Sequence, residues 1–145
     1  MSEKDWDLIM MVHLKGVFAV TKAAWPIMRE KSYGRILNVG SSAGIYGSFG
    51  QVNYSTAKMG MHGFTQSLAK EGEKRNIKVN CIAPLAGTRM TETVMPPEMV
   101  AAMSPDYVAP FSAWLVHEEQ TESGALYEVG VGYMARHRWN RSEGH

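Results

Sequence analysis

Apolar residues recur over the first thirty positions at the three- and four-residue spacing of a helix: Leu8, Met11, Val12, Phe18, Ala19 and Ala23, with Lys15 and Lys22 interrupting the stripe. Ser2 followed three residues later by Asp5, with Glu3 also in the first turn, is a helix start, so the pattern predicts a long, largely buried helix reaching about Arg29. Pro26 is expected to kink or locally break it, because proline brings no amide proton to the turn before.

The period then changes. Arg35 to Gly40 is a short apolar run centred on Ile36, Leu37 and Val39 and bounded by Gly34 and Gly40, the pattern of a strand covered on both faces. Ser41 and Ser42 follow, and Gly44, Gly47 and Gly50 at intervals of three predict a loop that doubles back. From Gln51 to about Lys74 helical spacing returns. Met61, Phe64 and Leu68 form an apolar stripe, read as core, beside a face of small residues at Thr56, Gly60, Gly63 and Ser67 that lets another backbone approach closely.

Lys78 to Ile82 reads as the next strand, ended by Pro84. Residues 89–104 carry Met90, Met95, Met99 and Met103 with Pro96-Pro97, which fits either a mobile apolar lid over a substrate or plain core packing. A helix over Asp106 to Val116, with Pro110 inside it, and a last strand over Ala125 to Val129, closed by Gly130 and Gly132, complete the alternation. Strands alternating with helices predict an α/β fold of about three strands with long helices.

Composition narrows this picture. The chain has 145 residues with 45% hydrophobic content, enough for one core, and no linker divides it. A net charge of +1 gives no basic field for nucleic acid or an anionic membrane, and no apolar run is expected to approach the length of a membrane span. Arg136, His137, Arg138 and Arg141 cluster near the end and read as a solvated tail or, more sharply, as a phosphate contact. The lone Cys81 excludes an internal disulfide. His117-Glu118-Glu119 lacks a second ligand cluster, so no metal is expected. Neither a signal peptide nor a C-terminal peroxisomal tripeptide is present, so the chain carries no readable address.

Candidate chemistry centres on Tyr54 and Lys58, which at four residues apart lie on one face of the helix. A free phenol has a pKa of about 10, and an adjacent ammonium favours the phenolate, so such a tyrosine can exchange a proton with an alcohol or carbonyl. Ser41, at the strand end, can be returned by the loop to hydrogen-bond the reacting oxygen. The bare pair better fits a helix-surface tyrosine packed on a lysine stem; the serine, the glycine-spaced return and the helix tip the balance toward chemistry.

These residues, with Gly44-Ile45-Tyr46-Gly47, Phe49-Gly50-Gln51, Ile82-Ala83-Pro84, Thr93-Val94-Met95-Pro96, Tyr107-Val108-Ala109-Pro110 and Arg138-Trp139, resemble the short-chain dehydrogenase/reductase family. Within it the chain is similar to the (3R)-hydroxyacyl-CoA dehydrogenase units of the peroxisomal multifunctional enzymes. The resemblance implies catalysis by Ser41, Tyr54 and Lys58, cofactor contacts from Tyr54, Lys58, Pro84 and Thr88, and NAD as cofactor with NADP not excluded. It also implies an acyl-CoA-like substrate and a homodimer through the helices around 5–30 and 51–74. A peroxisomal location follows for a eukaryotic source, and a cytoplasmic one otherwise. His13, Gly16 and Phe18 stand where the family usually has Asn, Gly and Phe; His13 is either a packed helix histidine or a departure compatible with the multifunctional branch.

No glycine-rich strand-turn-helix precedes the first helix, so the resemblance extends only to the C-terminal half of a doubly wound, Rossmann-like parallel-sheet domain. Residues 1–145 are therefore expected to form a partial domain, whether a truncated gene product, a short isoform or one piece of a split domain.

Overall fold

The computed structural model describes residues 1–87 and 96–144. Helix α1 (Glu3–Met10) opens with a capping box, in which the Ser2 hydroxyl accepts from the Asp5 amide while the Asp5 carboxylate accepts from the Ser2 amide. The chain continues through a π-helical turn (Met11–Lys15) into α2 (Gly16–Lys31), so the helix is continuous over 29 residues. Pro26 does not break it; the local departure from α geometry lies at Met11–Lys15 instead.

Four strands form the sheet, in the order β1 (Gly34–Val39), β2 (Ile77–Leu85), β3 (Leu126–Gly130) and β4 (Tyr133–His137). β1, β2 and β3 run parallel, with Ile36 opposite Val79 and Ile82 opposite Tyr127, and β4 returns antiparallel against β3. Between β1 and β2 lie α3 (Ser42–Tyr46) and α4 (Val52–Gly72); between β2 and β3 lie α5 (Pro97–Ala102) and α6 (Ala109–Leu115).

Side chains alternate across β2. Ile77 and Val79 pack with Leu68 and Ala69 of α4 and with Trp25, Met28 and Phe64. Ile82, one residue out of phase, packs with Leu115, Tyr127 and Val129, backed by Phe111 of α6. Helices thus cover both faces of a parallel sheet, the doubly wound arrangement expected from the alternation. Arg35 fastens the strand starts to the rim, donating to the carbonyls of Gly34, Asn76, His117 and Glu118.

Several expectations need correction. Among the described residues there are four strands, because the basic segment read as a solvated tail contributes Arg136 and His137 to β4, where Arg136 meets Glu122 at 2.7 Å and His137 meets Glu128 at 3.3 Å. An exposed edge strand looks polar, which hid it. The helix expected from Asp106 begins at Ala109, since Pro110 is tolerated only in a first turn. β2 does not end before Pro84 but runs through it to Leu85. Odd residues of β2 bond toward β3, as Cys81 N to Ala125 O shows, and Ile82 O accepts from Gly40 N on the β1 side. Pro84 therefore aims its missing amide past the end of β1, where no ladder bond is lost.

The largest correction concerns the first helix. It was expected to be largely buried, yet only Thr21 is buried in it, and Leu8, Met11, Val12, Phe18, Val20 and Ile27 are exposed, Val20 at 73%. By length and composition this is a helix apolar enough to cross a membrane, although Lys15 and Lys22 interrupt the apolar stripe.

Candidate active site

The site forms where β1 ends. Val39 closes the strand and offers its carbonyl at 2.8 Å to Lys58 Nζ, so the lysine reaches back from α4 to the strand terminus. Lys58 is half-buried, and burial holds its pKa below the ordinary lysine range, partly countered by the nearby Cys81 sulfur. Tyr54, one helical turn earlier, places its ring centroid 5.5 Å from Lys58 Nζ.

A third side chain comes from the π-helical turn. The His13 ring stands edge-on to Tyr54, with centroids 5.1 Å apart and planes at 88°. Burial and then the Lys58 ammonium depress the His13 pKa below its ordinary value, so the ring is neutral at neutral pH. The contact is braced from α4, where Asn53 accepts from the Tyr54 amide at 2.8 Å and donates to the Asp5 carbonyl at 3.3 Å. His13 is not among the catalytic residues expected from the sequence. The one hint of a role is its place, ahead of Gly16 and Phe18, where the family usually has Asn, and the contact joins residues forty-one positions apart on two helices.

Ser41 follows two residues after Val39. The segment expected as pure loop begins as α3, and Ser41 caps it, its hydroxyl accepting from Ala43 N at 3.2 Å. Gly44 in α3 lies directly on the Lys58 backbone: a Cβ there would stand 3.0 Å from Lys58 C and Cβ and from Met59 N. That close approach brings the serine-bearing turn and the lysine-bearing helix to the same end of β1. Among the described residues no hydrogen bond joins the Ser41 side chain to Tyr54 or Lys58. Gly47 and Gly50 have φ of 79° and 76°, the positive values expected of the returning loop.

A groove of about 410 Å³ runs between the first helix and the free edge of β1, lined in part by Val12, His13, Val39, Lys58 and Met61. Beside it, Ala83 to Leu85 of β2 extend past the last residue of β1 in register. In a doubly wound sheet such a crevice at the carboxyl ends of the strands receives ligands. Pro84 sits there, half-buried. Thr88, expected as a cofactor contact, lies outside the described residues, as do residues 89–95 of the expected lid. The described remainder of that segment forms α5, with Met99 exposed.

The residues present fit the ribose end of a nicotinamide cofactor. A half-buried ammonium needs acceptors, and among the described residues only the Val39 carbonyl accepts from Lys58 Nζ. Vicinal ribose hydroxyls would complete its shell. Nothing among the described residues supplies a glycine-rich turn at a helix N-terminus for the pyrophosphate. The expected absence of a metal site bears on His117: its Nδ1 accepts from Glu119 N at 3.2 Å and its ring stacks on Trp114 at 5.7 Å.

The family model described as short chain dehydrogenase matches residues 1–99. A peroxisomal hydratase-dehydrogenase-epimerase of Neurospora crassa is 54% identical over 145 residues, covering 99% of this chain and 16% of the relative. The solved full-length peroxisomal multifunctional enzyme type 2 of Drosophila melanogaster superposes with a TM-score of 0.89 at 40% identity, over 99% of this chain and 26% of that one. A short chain dehydrogenase of Mycobacterium avium superposes with a TM-score of 0.83 at 37% identity, and there this chain spans 51% of the solved molecule.

Proposed function

Because the chain belongs to the short-chain dehydrogenase family, we propose that it carries the catalytic half of an oxidoreductase that converts a 3-hydroxyacyl-CoA to the 3-ketoacyl-CoA. Names of relatives that combine hydratase, dehydrogenase and epimerase activities support an acyl-CoA substrate of fatty-acid β-oxidation and, for a eukaryotic source, a peroxisomal location. The observation that carries the reading is the approach of both Lys58 Nζ and the His13 ring to the Tyr54 ring, beside a groove that His13 and Lys58 line.

In this mechanism the Tyr54 oxygen takes the proton of the 3-hydroxyl, and Ser41 Oγ holds the same substrate oxygen. Lys58 would supply the cation beside the Tyr54 ring and would hold the cofactor ribose, with Pro84 and Thr88 assigned to its nicotinamide end. A bound nicotinamide would supply the acceptor for the hydride leaving the carbinol carbon. The family uses NAD or NADP in general, and NAD is the cofactor this reading assigns. Neutral His13 packs against Tyr54 and leaves Lys58 as the cation beside it.

The test is NADH formation at 340 nm with this chain, NAD and a (3R)-hydroxyacyl-CoA. Tyr54→Phe is expected to lower turnover by about 100-fold or more, the typical worth of a general acid/base. An unchanged rate in Tyr54→Phe overturns the assignment.

A second reading has its own observation. Met10, Met11, Leu14, Phe18, Gly60 and Phe64 line an open apolar groove of about 610 Å³. It supports a homodimer through the first helix and α4, and on its own a noncatalytic dimerisation piece. Gly60 already admits Leu14 of the same chain, whereas a Cβ at Gly63 would meet nothing within 4 Å, which leaves that part of the small-residue face open. Calorimetry with NAD separates the readings: a dimerisation piece gives association by sedimentation and no NAD heat.

A further inference from the structure

At the end of α3, three polar side chains from three elements meet at one atom. Glu128 projects from β3 toward α3. Its Oε2 accepts from the Tyr46 hydroxyl at 2.9 Å and lies 3.3 Å from His137 Nε2 on β4. The Tyr46 and His137 rings are edge-to-face with centroids 5.9 Å apart. Only 12% of the Glu128 side chain is exposed, and a polar group so enclosed calls for hydrogen-bond partners. The bond to Glu128 accordingly raises the Tyr46 pKa, keeping the hydroxyl a donor.

Tyr46 is the last residue of α3 and Ser41 is its cap. One turn of helix joins them, pinned midway where Gly44 rests on Lys58. Motion of the Tyr46 end therefore moves the Ser41 end. Glu128 and His137 also lie beyond residue 99, outside the stretch that matches the family model.

We infer that Tyr46, Glu128 and His137 are positioning residues: they tie α3 to the β3–β4 hairpin and thereby set where Ser41 meets the substrate oxygen. The catalytic meaning rests on the proposed function, whereas the mechanical tie does not. Other ionisable groups near the cluster are His62 on α4, whose pKa is lowered by burial and then by His137, and Tyr133 on β4, which acts on Tyr46.

Amide hydrogen exchange on the full chain tests the tie without turnover. Tyr46→Phe and Glu128→Ala are expected to speed exchange of the Ala43 and Gly44 amides, which bond the Ser41 hydroxyl and carbonyl, by about tenfold, with β2 unaffected. Glu128→Gln, which keeps an acceptor for Tyr46, should restore most of the protection. Unchanged exchange at Ala43 and Gly44 in both variants overturns the proposal, and so does an equal loss across β2, which would mean general destabilisation.

The catalytic consequence has its own readout. Tyr46→Phe should lower kcat with little change in the KM for acyl-CoA, and should cost no further kcat in a Ser41→Ala background. Additive losses overturn the positioning role even where the exchange result holds. Failure of Tyr54→Phe to affect turnover would instead count against the proposed function and leave the tie standing.

Discussion

α4 and the helix spanning residues 3–31 are both long and rich in apolar residues, and they pack against each other, yet their environments differ. α4 buries Ala57, Met61, His62, Thr65, Leu68, Ala69 and Gly72; the first helix buries only Thr21. The difference is one of partners. α4 lies on the sheet, where Ile77 and Val79 at 0% exposure receive its side chains, whereas the first helix turns Phe18, Val20 and Ile27 to solvent. Amphipathic spacing tells which side chains share a face and says nothing of what covers that face. For α4 the cover is the chain's own sheet. For the first helix it is a surface that a second copy, in the proposed dimer, would fill.

The comparison breaks hardest in the core. Ile77→Ala should cost about 2–5 kcal/mol in urea unfolding, because the fully buried residue leaves a cavity between α4 and the sheet. A cost near zero would mean that the interface between α4 and the sheet is loosely packed.

Next in size is an alkaline effect at Cys81, on the same α4-facing side of β2. Burial pushes this thiol from 9.0 up to about 11. The folded chain thus holds the proton more tightly than the unfolded one. The resulting stability is complete below pH about 9 and drains as pH rises through about 11, a loss of about 2–3 kcal/mol. Urea midpoints measured across that window should fall less steeply in Cys81→Ala than in the parent chain.

Gly44→Ala should cost about 1–3 kcal/mol, since the methyl would press on the Lys58 backbone at 3.0 Å and the neighbouring helix cannot retreat freely. Thermal unfolding measures it, and an unchanged midpoint would show that α3 shifts without penalty.

The smallest effect sharpens the contrast. Phe18→Asp should change the unfolding free energy of the isolated chain by no more than about 0.5 kcal/mol, because the residue is 48% exposed. The same substitution should abolish concentration-dependent association in sedimentation if the first helix is the dimer face. Retained association would move the interface elsewhere.

Much of this molecule was legible as pattern. Apolar runs at Ile36–Val39 and Lys78–Ile82 located the parallel strands, Ser2 and Asp5 located the first helix cap, and the four-residue spacing of Tyr54 and Lys58 put them on one helical face. Local periodicity and cap chemistry are carried by neighbours in sequence, so they can be read there. The tertiary structure alone decided three things: that His13 meets Tyr54, that Glu128 gathers Tyr46 and His137, and that the first helix leaves most of its apolar side chains exposed while α4 is covered. Each depends on contacts between distant segments, which packing settles through burial and shape and which residue spacing does not encode.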